Sequence, residues 1–177
     1  HFTVYTKSLN HGKMLSLGFR IEEKDKIGEL LVDKLRHIGI PPGPIYKQIK
    51  ENEQTTLEDG RVINRNEFIG PNKLGKKIVI LGDTLYVKEH RGFCENADIL
   101  VHEATFEHDK SDLAKMYAHS TTTEAALLAK ESEAKQLILT HISSRYQQDD
   151  SEWLREEARH IFPNTELAHD FFSYSIK

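Results

Sequence analysis

At 177 residues, of which 38% are hydrophobic, the chain holds one domain or the larger part of one. No run approaches the ~20 apolar residues of a membrane span, no basic-then-apolar leader resembles a signal peptide, and the single Cys94 excludes an internal disulfide and fits a reducing compartment. The formal charge of -4 does not advertise a nucleic-acid binder, so a surface for RNA would have to be local.

His1 to Thr6 reads as a strand, and Leu15 to Ile21 as a second alternating run. Between them lies Leu9-Asn10-His11-Gly12, so the pair reads as a hairpin with His11 at the turn. Glu22 to Lys26 reads as a charged turn. Gly28 to Gly39 reads as a short helix with Leu30, Leu31, Val32, Leu35 and Ile38 on one face and Gly39 as its stop. Ile40-Pro41-Pro42-Gly43-Pro44 is a stiff corner that neither a helix interior nor a central strand tolerates. Ile45 to Asn52 reads as another helix, carrying Lys47 and Lys50, and Asp59-Gly60 as a turn between two short extended stretches. Arg61, Arg65, Lys73, Lys76 and Lys77 make the next region locally basic. On composition alone, residues 25 to 60 are an ordinary helical insertion.

From here strands and helices alternate, giving an α/β (α+β) expectation. Lys77 to Leu81, Ala97 to His102 and Gln136 to His141 are short runs rich in Ile, Leu and Val, the pattern of strands buried on both faces. Thr121 to Ser132 reads as a helix whose Thr121 and Glu124 form a capping box. Asp150 to Phe162 reads as the last helix, with Asp149, Asp150 or Ser151 as its cap, and Thr165 to Ala168 and Phe171 to Ile176 as closing strands. Polar residues gather at the carboxyl ends of the apolar strands, where open α/β sheets build their sites. They are Gly82-Asp83-Thr84, His102-Glu103-Ala104-Thr105-Phe106, Ala118-His119-Ser120-Thr121 and Thr140-His141-Ile142-Ser143-Ser144-Arg145-Tyr146.

These four motifs, in this order, resemble tRNase Z (ribonuclease Z), the tRNA 3′-processing endonuclease of the metallo-β-lactamase superfamily. Four motifs together are far more specific than one. The resemblance implies a metallo-β-lactamase-like αββα sandwich, of which this chain supplies the C-terminal part. It implies two Zn2+ ions per complete site, precursor tRNA as substrate, a cytoplasmic enzyme with no membrane association, and a homodimer in the intact enzyme. It also implies that the segment from residue 25 to 60 is an inserted, projecting helical arm that grips tRNA away from the chemistry. Pro41, Pro42, Gly43 and Pro44, with Lys47 and Lys50, match its tip.

Phosphodiester cleavage builds negative charge on the attacking, leaving and phosphoryl oxygens, and two divalent ions ~3.5–4 Å apart can clamp all of them. Such a site needs imidazoles and a bridging carboxylate. Asp83 is the natural bridge, at a strand end and after a glycine that lets metals approach the backbone. His11 and His141 are then terminal ligands, one to each metal. Taken singly, Asp83 is a turn or cap aspartate, His141 a strand-end histidine and His11 a turn histidine. The leaving 3′-oxygen needs a proton, which His119 can supply if Glu103 orients the ring and keeps it protonated. His119 also precedes a helix N-terminus, whose amides suit a phosphate. The resemblance agrees with proton transfer from this pair. His102 takes no catalytic role. Ser143, Ser144 and Arg145 suit a phosphate or the unpaired 3′ end of the acceptor stem, or else form a solvated loop.

The superfamily's His-x-His-x-Asp-His motif is absent from these 177 residues. The expectation is therefore a chain truncated at its N-terminus, with exposed apolar surface, open to self-association, and inactive as it stands. Two other readings stay open: a non-catalytic RNA-binding fragment, and a related metallo-hydrolase acting on small phosphodiesters.

Overall fold

Runs of branched apolar residues make the frame, and the computed structural model describes residues 2–146 and 150–176 of it. His1, read as part of the first strand, and Asp149, read as a helix cap, lie outside the described residues, as do the side chains of Asp150 and Ser151. In chain order the elements are β1 (Phe2–Ser8), β2 (Leu17–Glu23), α1 (Val32–His37), α2 (Ile45–Glu51), β3 (Gln54–Thr56), β4 (Val62–Asn64), α3 (Arg65–Phe68), β5 (Lys77–Leu81), α4 (Arg91–Cys94), β6 (Ile99–Glu103), α5 (Ser111–Tyr117), α6 (Thr122–Glu131), β7 (Leu137–Thr140), α7 (Asp150–Arg159) and β8 (Thr165–Leu167). They fall into two compact units: His1–Glu23 with Lys76–Lys177, and Lys24–Gly75. No described helix is long and apolar enough to cross a membrane.

The first unit is built on a six-stranded sheet in the order β1-β2-β5-β6-β7-β8. β1, β2 and β5 are antiparallel neighbours; β5 through β8 run parallel. Val79, Leu81, Leu100, Leu137 and Leu139 point to one face and pack against Ala125, Ala126, Leu128 and Ala129 of α6 and Ala158 of α7. The small alanines let α6 lie close to the sheet. Its start is fixed by the expected capping box, with both the Thr121 and the Glu124 bonds present, worth ~1 kcal/mol.

The opposite sheet face is also apolar, but more open. Ile78 pairs with Ile99 and Ile80 with Val101 in register, continuing to Phe19 and Ile21 of β2. Phe2 is 68% exposed, Val4 56%, Phe19 39% and Ile80 37%. The central strands are therefore not uniformly buried on both faces, as their composition predicts: β5 leaves Ile80 partly in solvent.

Three further expectations are corrected. Glu22 and Glu23 close β2 instead of forming a turn, because Glu22 sits opposite Lys77 in the ladder and ion-pairs with it at 3.7 Å. The helix read over Gly28 to Gly39 is confined to Val32–His37. Ahead of it Leu30 bridges to Ile69 and the Leu31 amide bonds to the Phe68 carbonyl at 2.7 Å, so that backbone is already paired. Phe171 to Ile176 is not a strand: Phe171 has φ +64°, and the Phe172 amide bonds back to His169 in a turn.

The Lys24–Gly75 unit has its own small core of Leu35, Ile40, Ile49, Ile63 and Phe68. Its ends are tied by reciprocal Lys26–Lys73 backbone bonds of 2.9 Å. The insertion read as residues 25 to 60 lies within it. Pro44 caps the start of α2, where its missing N–H costs nothing, and Gly60 takes φ +83° in the turn between β3 and β4.

Candidate metal centre

The carboxyl ends of β5, β6 and β7 and the β1–β2 turn bring the motif residues together. His11 follows β1 in a turn closed by the Met14 amide on the His11 carbonyl, with Gly12 at φ +62°. Its Nδ1 lies 2.9 Å from the Ala118 carbonyl. A carbonyl can only accept, so Nδ1 carries a proton, which in the neutral ring leaves the lone pair on Nε2. That Nε2 faces Asp83 Oδ2 at 4.0 Å. From the other side His141 Nε2 faces Asp83 Oδ1 at 3.6 Å. His141 adopts φ +56°, a conformation uncommon for a residue with a Cβ, as the chain leaves β7.

Two imidazoles thus aim their Nε2 atoms at the two oxygens of one carboxylate. Ligands ~2.0–2.2 Å from a shared zinc stand about 3.3–3.6 Å apart at tetrahedral angles. The separations of 3.6 and 4.0 Å come near that spacing, and the ring-to-carbonyl bond of His11 is the orienting contact that ligating histidines use. The donor set therefore fits a divalent metal ion. Among the described residues, two groups of donor atoms lie within 4.8 Å of one another: His11, Asp83 and His119, and Glu103, His119 and His141.

Glu103 ends β6 and is 1% exposed. Burying a carboxylate is costly unless its oxygens are hydrogen-bonded. Here Oε1 accepts from the Thr84 amide (3.1 Å), the Ser120 amide (2.9 Å) and His119 Nδ1 (2.9 Å), and Oε2 from the Thr105 amide and hydroxyl (both 2.9 Å). His119 Nε2 is left facing the site, its ring 4.8 Å from His11 and 5.3 Å from His141. His102 is fully buried with Nδ1 on the Glu103 carbonyl, and burial lowers its pKa.

Two local readings are refined. A Cβ on Gly82 would lie 3.1 Å from Ser16 Oγ and 3.2 Å from the Leu17 carbonyl. The glycine before Asp83 therefore makes room for the start of β2. Of the amides at the start of α6, four are already bonded within the protein: Ser120 to Glu103, Thr121 to Glu124, Thr122 to Phe106 and Glu124 to Thr121 Oγ1. These contacts answer the polar groups that a helix start leaves unpaired.

Ser143, Ser144 and Arg145 follow His141 in a loop beside the site. The Ser143 amide bonds to the Thr105 carbonyl, and Arg145 bonds Ser143 Oγ at 3.1 Å while its guanidinium lies 4.7 Å from the Phe106 ring centroid. Pro41, Pro42, Gly43, Pro44, Lys47 and Lys50 are in the other unit; the first five are exposed and Lys50 is half-buried. Three residues at the centre have no role in the sequence reading: Thr84, Thr105 and Ser120. Each neighbours a predicted site residue in its motif, which is the one signal the sequence offers for them.

No family model matches the chain. Curated ribonuclease Z proteins do: it is 60% identical over 173 residues to that of Oceanobacillus iheyensis and 55% identical over 175 residues to that of Anoxybacillus flavithermus. These alignments cover 98% and 99% of the chain and 56% of each relative, so the chain spans little more than half the length of these homologues. Among solved structures, the metallo-β-lactamase fold protein YhfI of Bacillus subtilis superposes with TM-score 0.60 at 22% identity, over 97% of this chain and 48% of that one. The short form of human tRNase Z superposes with TM-score 0.56 at 28% identity, over 99% of this chain and 44% of that one. The mixed α/β architecture is that of the metallo-β-lactamase fold.

Proposed function

From its homology to ribonuclease Z over nearly all of its length, we propose that this chain is part of a zinc-dependent endoribonuclease that removes the 3′ trailer of precursor tRNA. The observation that carries this reading is the placement of the His11 and His141 Nε2 atoms on the two oxygens of Asp83, with the Glu103–His119 pair beside them. In it, His11, Asp83 and His141 hold zinc. Bound there, zinc supplies positive charge for the phosphate oxygens and a nucleophile at neutral pH. His119 Nε2 gives a proton to the leaving 3′-oxygen, and Glu103 holds the ring through Nδ1 and stabilises its charged form. Ser143, Ser144 and Arg145 take the acceptor end, and the Lys24–Gly75 unit grips the tRNA body through Pro41 to Pro44, Lys47 and Lys50. The buried thiol of Cys94, pushed up to about 12 by burial, is inert and suits a reducing cytoplasm.

Three zinc ligands cannot by themselves hold two ions in an open arrangement. The 177 residues alone are therefore expected to bind zinc weakly and to release no trailer. The test is an assay of the complete protein and of this chain on precursor tRNA and on a small phosphodiester, with chelation and zinc restoration. Replacing Pro41 to Pro44 with a glycine-serine linker should weaken tRNA cleavage and spare the small substrate. Equal loss on both would make that segment a support of the fold. Trailer release by the 177-residue chain at the rate of the complete protein would show that the catalytic centre lies elsewhere.

A further inference from the structure

The Thr105 hydroxyl stands at the junction of the two halves of the site. Its Oγ1 lies 2.9 Å from Glu103 Oε2, 3.1 Å from His119 Nδ1 and 2.9 Å from His141 Nδ1, and the residue is 7% exposed. A hydroxyl has one proton and two lone pairs. Glu103 Oε2 also receives the Thr105 amide, and Oε1 receives two backbone amides, so both carboxylate oxygens act as acceptors. The single Thr105 proton therefore goes to Glu103 Oε2. Toward both rings Thr105 can then only accept, so each Nδ1 carries a hydrogen. For His119 this agrees with its second bond, to Glu103 Oε1 at 2.9 Å. For His141, Thr105 is the one hydrogen-bonding partner at Nδ1 among the described residues.

We propose that Thr105 is a positioning residue that sets the tautomer of His141 and ties it to the Glu103–His119 pair. The chain of donors runs His141 Nδ1–H to Thr105 Oγ1, and Thr105 O–H to Glu103 Oε2. It leaves the His141 Nε2 lone pair aimed at the Asp83 side of the site, where its distance from Oδ1 is 3.6 Å. His11 reaches the same state by a different device, a backbone carbonyl. The His141 ring is half exposed, with 51% of its side chain accessible, and needs such a restraint more than His11 at 12%. Outer-shell partners of ligating histidines fix ring orientation in this way.

The inference deepens the zinc-enzyme reading and rests on it for the identity of the ion. The test uses the complete protein with T105V, which keeps the shape and removes the hydroxyl, and T105S, which keeps the hydroxyl. Zinc affinity is measured by chelator competition, and the His141 tautomer by long-range proton–nitrogen correlation on zinc-free, selectively 15N-histidine-labelled protein, since zinc on Nε2 would by itself hold the Nδ1–H form. T105V should lose about 10–100-fold in zinc affinity and release His141 from the Nδ1–H form, and T105S should restore both. Unchanged affinity and an unchanged tautomer in T105V would overturn the proposal. Loss of both in T105S as well would assign the effect to the methyl group and overturn it too. Wild-type protein that shows this tautomer and binds zinc, yet leaves precursor tRNA intact, would sink the substrate reading while Thr105 kept its role.

Discussion

The two units of this chain stabilise themselves by different means. The unit of Phe2–Glu23 and Lys76 onward has a continuous core under a six-stranded sheet, from Val79 and Leu81 through Leu100 to Leu139, and every donor of the candidate metal centre projects from its strand ends or adjoining turns. The Lys24–Gly75 unit has five core side chains, a two-stranded sheet and helices of at most seven residues, tied at its neck by Lys26 and Lys73. Its exposed residues include Pro41, Pro42, Pro44 and Lys47 beside acidic Glu51, Glu53, Glu58 and Asp59, with no donor cluster among the described residues. The difference teaches where precision is needed. Ligand atoms must be held to fractions of an ångström by a rigid scaffold. A gripping surface needs shape and charge, which a small, lightly packed unit can present.

The largest effects should fall on the first unit's chemistry. Asp83→Ala should abolish zinc retention and cleavage together. His119→Ala should cut turnover by ~10²–10⁴-fold and leave zinc content intact, measured by metal analysis beside single-turnover cleavage. Zinc lost in step with activity would make His119 a ligand. Neither change should alter tRNA binding in a gel-shift assay if the grip resides in the other unit.

Next in size is a cavity in the small core. Ile49 is fully buried, and Ile49→Ala should cost about 2–5 kcal/mol. Hydrogen exchange should speed up through α1, α2 and β4 while β5 to β7 stay protected. Loosening of both units together would erase the contrast between them.

The smallest effect concerns pH and the first unit. Burial is the main cause that lowers the His90 pKa from 6.5 to about 4, reinforced by the charges of His102 and Lys7. Between those values the unfolded chain binds a proton that the folded state does not, so stability falls as pH drops from 6.5 toward 4. The loss is on the order of 3 kcal/mol. His90→Phe should flatten that part of the stability–pH curve in denaturant melts. An unaltered slope would show that His90 is not its source.

The sequence by itself determined the alternation of strand and helix. Val79 to Leu81, Ile99 to Val101 and Leu137 to Leu139 are too short and too branched for anything but strands. It also marked the α6 capping box, the Gly60 turn and the order of the four motifs, because each is written in adjacent residues. Tertiary structure decided what depended on distant backbone. It shortened α1 by pairing Leu30 and Leu31 with Ile69 and Phe68, and drew Glu22 into β2 opposite Lys77. It also gave Gly82 its reason in Ser16 and Leu17, and occupied the amides ahead of α6. Above all it placed Thr105 between Glu103, His119 and His141. The 14 and 36 residues from Thr105 to the two histidines hold no local pattern that specifies the contact. The parallel register of β6 and β7 brings His141 to Thr105, and the Phe106–Thr121 bridge brings the loop that carries His119, and only the folded protein fixes either.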